Sequence, residues 1–154
     1  MSAANNPVAP NASPSELEAA GVHKLARVQF IEFDVLSTIA TGTLKKRVYI
    51  TEPGRIVSIS SFRRTAASGM GAADSTDVDV NLNGSTILSD TIQHENASGN
   101  NDHLAGALKT NHAAYDGYGI AVAVGDYVDV DVDAIEAGAT APSGLFLRLK
   151  LLVG

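Results

Sequence analysis

No cysteine occurs anywhere in the 154-residue chain, which excludes disulfides, thiolate metal sites and cysteine nucleophiles together. Tryptophan is also absent, and only four Tyr and four Phe are present, so the stacking surfaces of sugar and base sites are scarce. No apolar run approaches the ~18 residues of a membrane-spanning helix. The stretch MSAANNPVAPNASPSELEAAG has neither the basic n-region nor the apolar h-region of an export signal. A soluble protein made without a classical export signal is therefore expected. On that reading Asn-x-Ser at Asn11, Asn83 and Asn96 are chance matches rather than glycan acceptors.

Catalytic signatures are missing as well. The chain contains no phosphate-binding loop, dinucleotide glycine pattern or nucleophile elbow. His23, His94, His103 and His112 are scattered and no His-x-His occurs, which removes the metal set of an enzymatic cupin. His94-Glu95 and Asp102-His103 flank one loop and could form a weak site, although ordinary polar loop residues are the expected reading. Asp129-x-Asp131-x-Asp133 looks like a calcium run, but on a strand such side chains step ~6.6 to 7 Å apart and cannot converge on one ion. No catalytic residue, metal or cofactor is assigned; a solvated or salt-paired face is expected instead.

What the chain does hold is charge of uneven sign. The net charge is −6, which argues against nucleic acid as the main partner. Between His23 and Arg64 there are 8 basic and 3 acidic residues, whereas Thr65 onward has 3 basic and 12 acidic. Opposite signs on two halves of one domain imply cross-strand pairing or head-to-side contact between subunits, and the first is the simpler expectation.

Residues 1–22 are Ala, Asn, Pro and Ser with little to bury, the composition of an arm that cannot offset its ordering entropy alone. Ser13-Pro14-Ser15-Glu16 matches a capping box and Gly21 a stop, predicting a short helix from Pro14 to Ala20. Such an arm is expected to be held by another chain. Residues 23–154 are expected to form one domain, which at this length buries roughly 68 to 70 % of its unfolded surface.

Within that domain the period is two. Leu25 to Leu36 is β-branched and aromatic but changes phase, as happens at a bulge or where both faces are covered. Thr43 to Thr51 and Arg55 to Arg64 read as further strands. Asp77 to Leu82 alternates Val and Leu inward with Asp and Asn outward, and Asn83-Gly84 predicts a hairpin returning through Ser85 to Ile92. Gln93 to His103 reads as a polar loop. Ile120 to Val132, IAVAVGDYVDVDV, predicts a second hairpin about Gly125-Asp126, with Val128, Val130 and Val132 dry and Asp129, Asp131 and Asp133 wet. The last strand, Gly144 to Val153, carries leucines on one face, and Arg148 and Lys150 would pair with those aspartates if the two strands are neighbours. About eight strands without a helix in the body predict an all-β antiparallel β-sandwich, with a jelly roll preferred to an immunoglobulin-like fold.

Three features, Thr76-Asp77-Val78-Asp79-Val80-Asn81-Leu82-Asn83-Gly84-Ser85-Thr86-Ile87, Val124-Gly125-Asp126-Tyr127-Val128-Asp129-Val130 and the leucine-rich last strand, carry a resemblance. Over roughly Ile56 to Val153 the chain resembles the capsid decoration, or cement, proteins of tailed bacteriophages that have a jelly-roll body. The resemblance implies a non-enzymatic virion protein, a homotrimer on the capsid surface that binds the major capsid protein and stabilises the head, without membrane or nucleic-acid partners. Candidate partner contacts are Pro7, Pro10, Pro14 and Leu17 in the arm, and Lys45, Lys46, Arg47, Arg63 and Arg64 in the basic stretch. The alternative is a carbohydrate-binding fibre or tail adhesin using the Tyr115-Asp116-Gly117-Tyr118-Gly119 loop.

Overall fold

Alternation of apolar and polar side chains decides which face of each strand turns inward, and in the computed structural model it builds two antiparallel sheets. The structure describes residues 27–35, 38–68 and 74–154, so the predicted helix Pro14–Ala20 lies outside the described residues. The strands are β1 (Arg27–Val35), β2 (Gly42–Tyr49), β3 (Gly54–Thr65), β4 (Ser75–Leu82), β5 (Ser85–Thr86), β6 (Ile92–Glu95), β7 (Asp102–Gly106), β8 (Ile120–Val122), β9 (Tyr127–Ala134) and β10 (Ser143–Val153). The first sheet runs β1-β10-β3-β7, with β8 also on β3; the second runs β2-β9-β4, with β5 and β6 on the far edge of β4. The chain crosses between sheets after β1, β2, β3, β6, β8 and β9. That order and alternation make an all-β antiparallel sandwich of jelly-roll type.

The core lies between the sheets. Val78, Val80 and Leu82 of β4 and Val128, Val130 and Val132 of β9 face Leu145, Leu147, Leu149 and Leu151 of β10 across it, all buried. Each buried Val contributes roughly 1.5 to 3 kcal/mol. Asn83-Gly84 closes the β4–β5 hairpin as expected, both residues having positive φ (51° and 82°), the backbone of a tight turn that Asn and Gly tolerate best. The partner strand is shorter than expected: β5 ends at Thr86, and the other half of β4 is covered by β6.

Three expectations are corrected. The Ile120–Val132 segment is not a hairpin, because β8 joins β3 in the first sheet while β9 joins β2 and β4 in the second. Gly125-Asp126 is instead a corner between sheets. The Asp126 carboxylate accepts the Ala123 amide at 2.7 Å, and the backbone of Ile50 exchanges hydrogen bonds with Gly125 and Asp126 at 3.0 and 2.7 Å. Gln93–His103 is not all loop, since His94 lies in β6 and Asp102 and His103 in β7. The phase change in β1 is neither a bulge nor two-sided burial. Its register against β10 is unbroken from Arg27 to Val35, and Val28 and Phe30 face outward, each 49 % exposed.

Candidate functional site

Two surfaces and one buried cluster concentrate the polar chemistry. The cluster lies between the sheets, where β3 of the first approaches β6 of the second. Ile59, Ser61 and Arg63 share the inward face of β3, and Ile92 and His94 the inward face of β6. His94 Nδ1 lies 3.0 Å from Asp102 Oδ2, and its Nε2 lies 2.7 Å from Ser61 Oγ. An ionised carboxylate only accepts, so Nδ1 carries the hydrogen and Nε2 accepts from the serine hydroxyl.

Arg63 sits beside this chain of bonds. Its guanidinium pairs with Glu136 and donates to the carbonyls of His94 (2.8 Å), Glu95 and Gly99 (2.9 Å each). The other Glu136 oxygen accepts the Ala67 amide at 2.7 Å. Burial holds the His94 imidazolium off, pushing its pKa below the usual histidine value; the nearby Arg63 charge adds to this, while Asp102 opposes it. The cluster stitches the two sheets together with ionic and neutral hydrogen bonds.

Hydroxyl, imidazole and carboxylate in that order match a nucleophile–base–orienting relay. Ser61, His94 and Arg63 are each 0 % exposed, so as folded the hydroxyl meets no substrate. A shallow cleft nearby, lined by Ser60, Phe62, His103, Phe146 and Arg148, opens on the outer face of the first sheet.

That outer face carries Val28, Phe30 and Glu32 of β1, Phe146, Arg148 and Lys150 of β10, and Phe62 of β3. The Arg148 guanidinium lies over the Phe30 ring at 5.2 Å and the Phe146 ring at 5.8 Å, and pairs with Glu32 at 2.7 Å. An exposed arginine set between a half-exposed ring, Phe30, and a partly buried one, Phe146, is the residue combination enriched at protein interfaces.

The outer face of the second sheet is acidic. Asp77 and Asp79 of β4 stand beside Asp131 and Asp133 of β9, with Asp79 directly opposite Asp131, an arrangement that costs stability. Partial compensation comes from neutral donors: Thr86 Oγ1 and the Val80 amide to Asp79 at 2.5 and 2.8 Å, Ser75 Oγ to Asp77 at 2.5 Å, and Asn81 Nδ2 to Asp131 at 2.9 Å. Partial burial, then Asp79, Asp131 and Asp77, push the Asp133 carboxyl up. Among the described residues no group of three His, Asp or Glu could hold a metal ion.

Of the predicted contact residues, Pro7, Pro10, Pro14 and Leu17 lie outside the described residues. The basic ones are not brought together. Lys45 and Lys46 lie on β2, with Lys46 exposed and opposite Val130, and Arg64 is exposed at the end of β3. Arg47 grips Asp129 with two bonds of 2.6 and 2.9 Å and covers the Tyr127 ring at 3.9 Å, and the carboxylate holds it more firmly charged. Arg63, expected to touch a partner, is corrected: its place in the inward phase of β3 buries it. Arg148 likewise pairs with Glu32 rather than with the β9 aspartates, because β10 and β9 belong to different sheets. Arg47, Arg55 and Arg63 all pair with acids from the later half of the chain, Asp129, Asp116 and Glu136. Internal pairing thus consumes much of the charge asymmetry.

In the loop 115–119 only one ring is presented. Tyr118 is 81 % exposed, whereas Tyr115 packs against the core and Asp116 is bound by Arg55, which holds its carboxyl below the usual range. The chain matches no protein-family model, and a search of curated proteins finds no match either.

Proposed function

We propose that this chain is a non-enzymatic structural protein of a tailed-bacteriophage particle, a decoration protein that binds the outside of the head, contacts the major capsid protein and stabilises the shell as a homo-oligomer, a trimer by its resemblance. The observation that carries this reading is the outer face of the first sheet, where Arg148 stands between Phe30 and Phe146 in the open. Surfaces of that composition act by docking. The sealed position of Ser61 and His94 supports the non-enzymatic half of the reading, and the acidic net charge supports a protein rather than a nucleic-acid partner.

In this reading residues 1–22 bind the capsid, where the partner supplies contacts their composition lacks. The test is to mix purified protein with undecorated capsids and weigh occupancy, using the full chain and a variant lacking residues 1–22. Saturable decoration by the full chain and none by a folded truncated variant are expected. Failure of the full chain to bind any shell would overturn the proposal.

The exposed Tyr118 ring favours a second reading, a glycan-binding fibre or tail domain. A glycan array separates the two: decoration predicts silence, and an adhesin predicts a saturable signal lost in Tyr118→Ala.

A further inference from the structure

Asn83-Gly84 is the one Asn-Gly step in the chain, and the fold leaves both residues exposed at the tip of the β4–β5 turn. An asparagine followed by glycine readily loses its side-chain amide, because no Cβ shields the backbone nitrogen that attacks it. A Cβ at Gly84 would meet nothing nearer than the Tyr127 hydroxyl at 3.9 Å, so that nitrogen is open to approach. The Asn83 carboxamide, by contrast, is held at both ends by another segment. Its Nδ2 donates to Asp126 Oδ1 at 2.8 Å, and its Oδ1 accepts the Tyr127 amide at 3.0 Å. Asp126 is itself fixed, since its other carboxylate oxygen accepts the Ala123 amide and its carbonyl accepts the Ile50 amide, each at 2.7 Å.

We infer that Asn83 is a site of spontaneous deamidation that the fold guards, with Asp126 as the guard. In the reaction the Gly84 amide gives its proton to solvent hydroxide, and its nitrogen forms a bond to Asn83 Cγ. The Cγ–Nδ2 bond breaks, and the leaving group takes a proton from water and departs as ammonia. Water then opens the five-membered imide at either carbonyl, giving aspartate or isoaspartate. The ring forms only when Cγ swings into bonding distance of the Gly84 nitrogen, and a carboxamide pinned at both ends resists that swing. The product sets a new carboxylate against Asp126, and two carboxylates in hydrogen-bond range repel or share a proton. Isoaspartate also adds a methylene to the backbone between Leu82 and Ser85, which pair directly across the turn. Either product cuts the tie between this turn and the Gly125-Asp126 corner, and the loss of ammonia makes the cut one-way.

The test incubates the full chain, folded and in guanidinium chloride, at one mildly alkaline pH, and follows the mass gain of the peptide that contains Asn83. Deamidation is expected to be at least about tenfold slower in the folded chain, the weight of a hydrogen bond to a charged acceptor. Asp126→Ala removes the guard and should raise the folded rate at least about threefold. Glu136→Gln, destabilised in the buried cluster instead, controls for loosening of the whole fold and should keep the wild-type rate. Circular dichroism melts establish that the variants fold; should Asp126→Ala not fold, Asp126→Asn, which keeps only a neutral acceptor, takes its place and should raise the rate by less. Asn83→Asp, the encoded form of one product, should unfold at lower urea than wild type. Equal rates in folded and unfolded wild type overturn the inference, as does an unfolded chain that keeps Asn83 intact. A folded Asp126 variant no faster than wild type, or a Glu136→Gln as fast as Asp126→Ala, takes the guarding role from Asp126, and an unchanged midpoint in Asn83→Asp overturns the consequence for the corner.

Discussion

At the scale of single residues, Arg63 and Glu136 form the one ion pair among the described residues with both side chains fully buried. Glu136 also satisfies the Ala67 amide. Removing one partner of such a pair strands the other in a low-dielectric interior, typically at 3–5 kcal/mol, whereas removing both costs less than the sum. Arg63→Met is therefore expected to lower stability by about 3–5 kcal/mol, and Glu136→Gln by somewhat less because the amide keeps a neutral hydrogen bond. The double variant should recover at least about 1 kcal/mol of that sum. Urea titrations of the four proteins measure the coupling, and strict additivity would mean that the pair does not interact. Arg63 was legible in principle. Its separation from Ile59 and Ser61 by even steps places it on an inward face, yet Arg63-Arg64 reads at first as an exposed basic pair. His94 was hidden in the same way by its polar neighbours, although its phase with Ile92 marks it as inward.

At the scale of elements, local pattern and long-range pairing part company. The dry and wet faces of β4, β9 and β10 come from side-chain alternation alone, as does the turn at Asn83-Gly84, because these depend on neighbours one to four residues apart. The path of the chain after Gly125 is set differently. A Gly-Asp step fits a hairpin and a corner between sheets equally well, and the choice rests on Ile50, far away in sequence, clamping the turn. The exposed Val28 and Phe30 misled for a different reason: apolar residues facing out of β1 imitate a phase shift, and only the continuous register against β10 reveals an outward-facing apolar surface. The place of β8 depends on Gly119, which packs closely against β3. A Cβ there would sit 2.5 Å from the Ile56 carbonyl oxygen, a backbone atom that cannot swing aside. Gly119→Ala should thus pry β8 from β3 and cost about 1–3 kcal/mol, the usual effect of overpacking. Hydrogen exchange at Ile120 to Val122 reads this directly, and unchanged protection would contradict the close approach.

At the scale of the whole molecule, stability against acid is decided where the sheets are stitched together. His94 from the second sheet bonds Ser61 and Asp102 from the first, with the Arg63 cation and its Glu136 partner alongside. Folding lowers the His94 pKa, chiefly by desolvation, so the unfolded chain takes up this proton first. The contribution is fully present above the unfolded value of about 6.5 and is lost as pH falls below it, until the folded imidazole itself titrates. Two aspartates act in opposite directions. Asp116, depressed by Arg55, gives up its contribution as pH drops below about 3.8, whereas acidification relieves the crowding that raises Asp133. Both aspartates are unchanged in a His94 variant, so comparing it with wild type isolates the imidazole between about 5.5 and 6.5. Urea midpoints from pH 7.5 down to 5.5, at fixed salt, should therefore fall in the wild type. His94→Gln keeps a donor and an acceptor between Asp102 and Ser61 but cannot take a proton. It should begin lower at pH 7.5 and fall less on acidification, so that the two curves converge. Parallel curves would show that the buried imidazole is not what links the two sheets to pH.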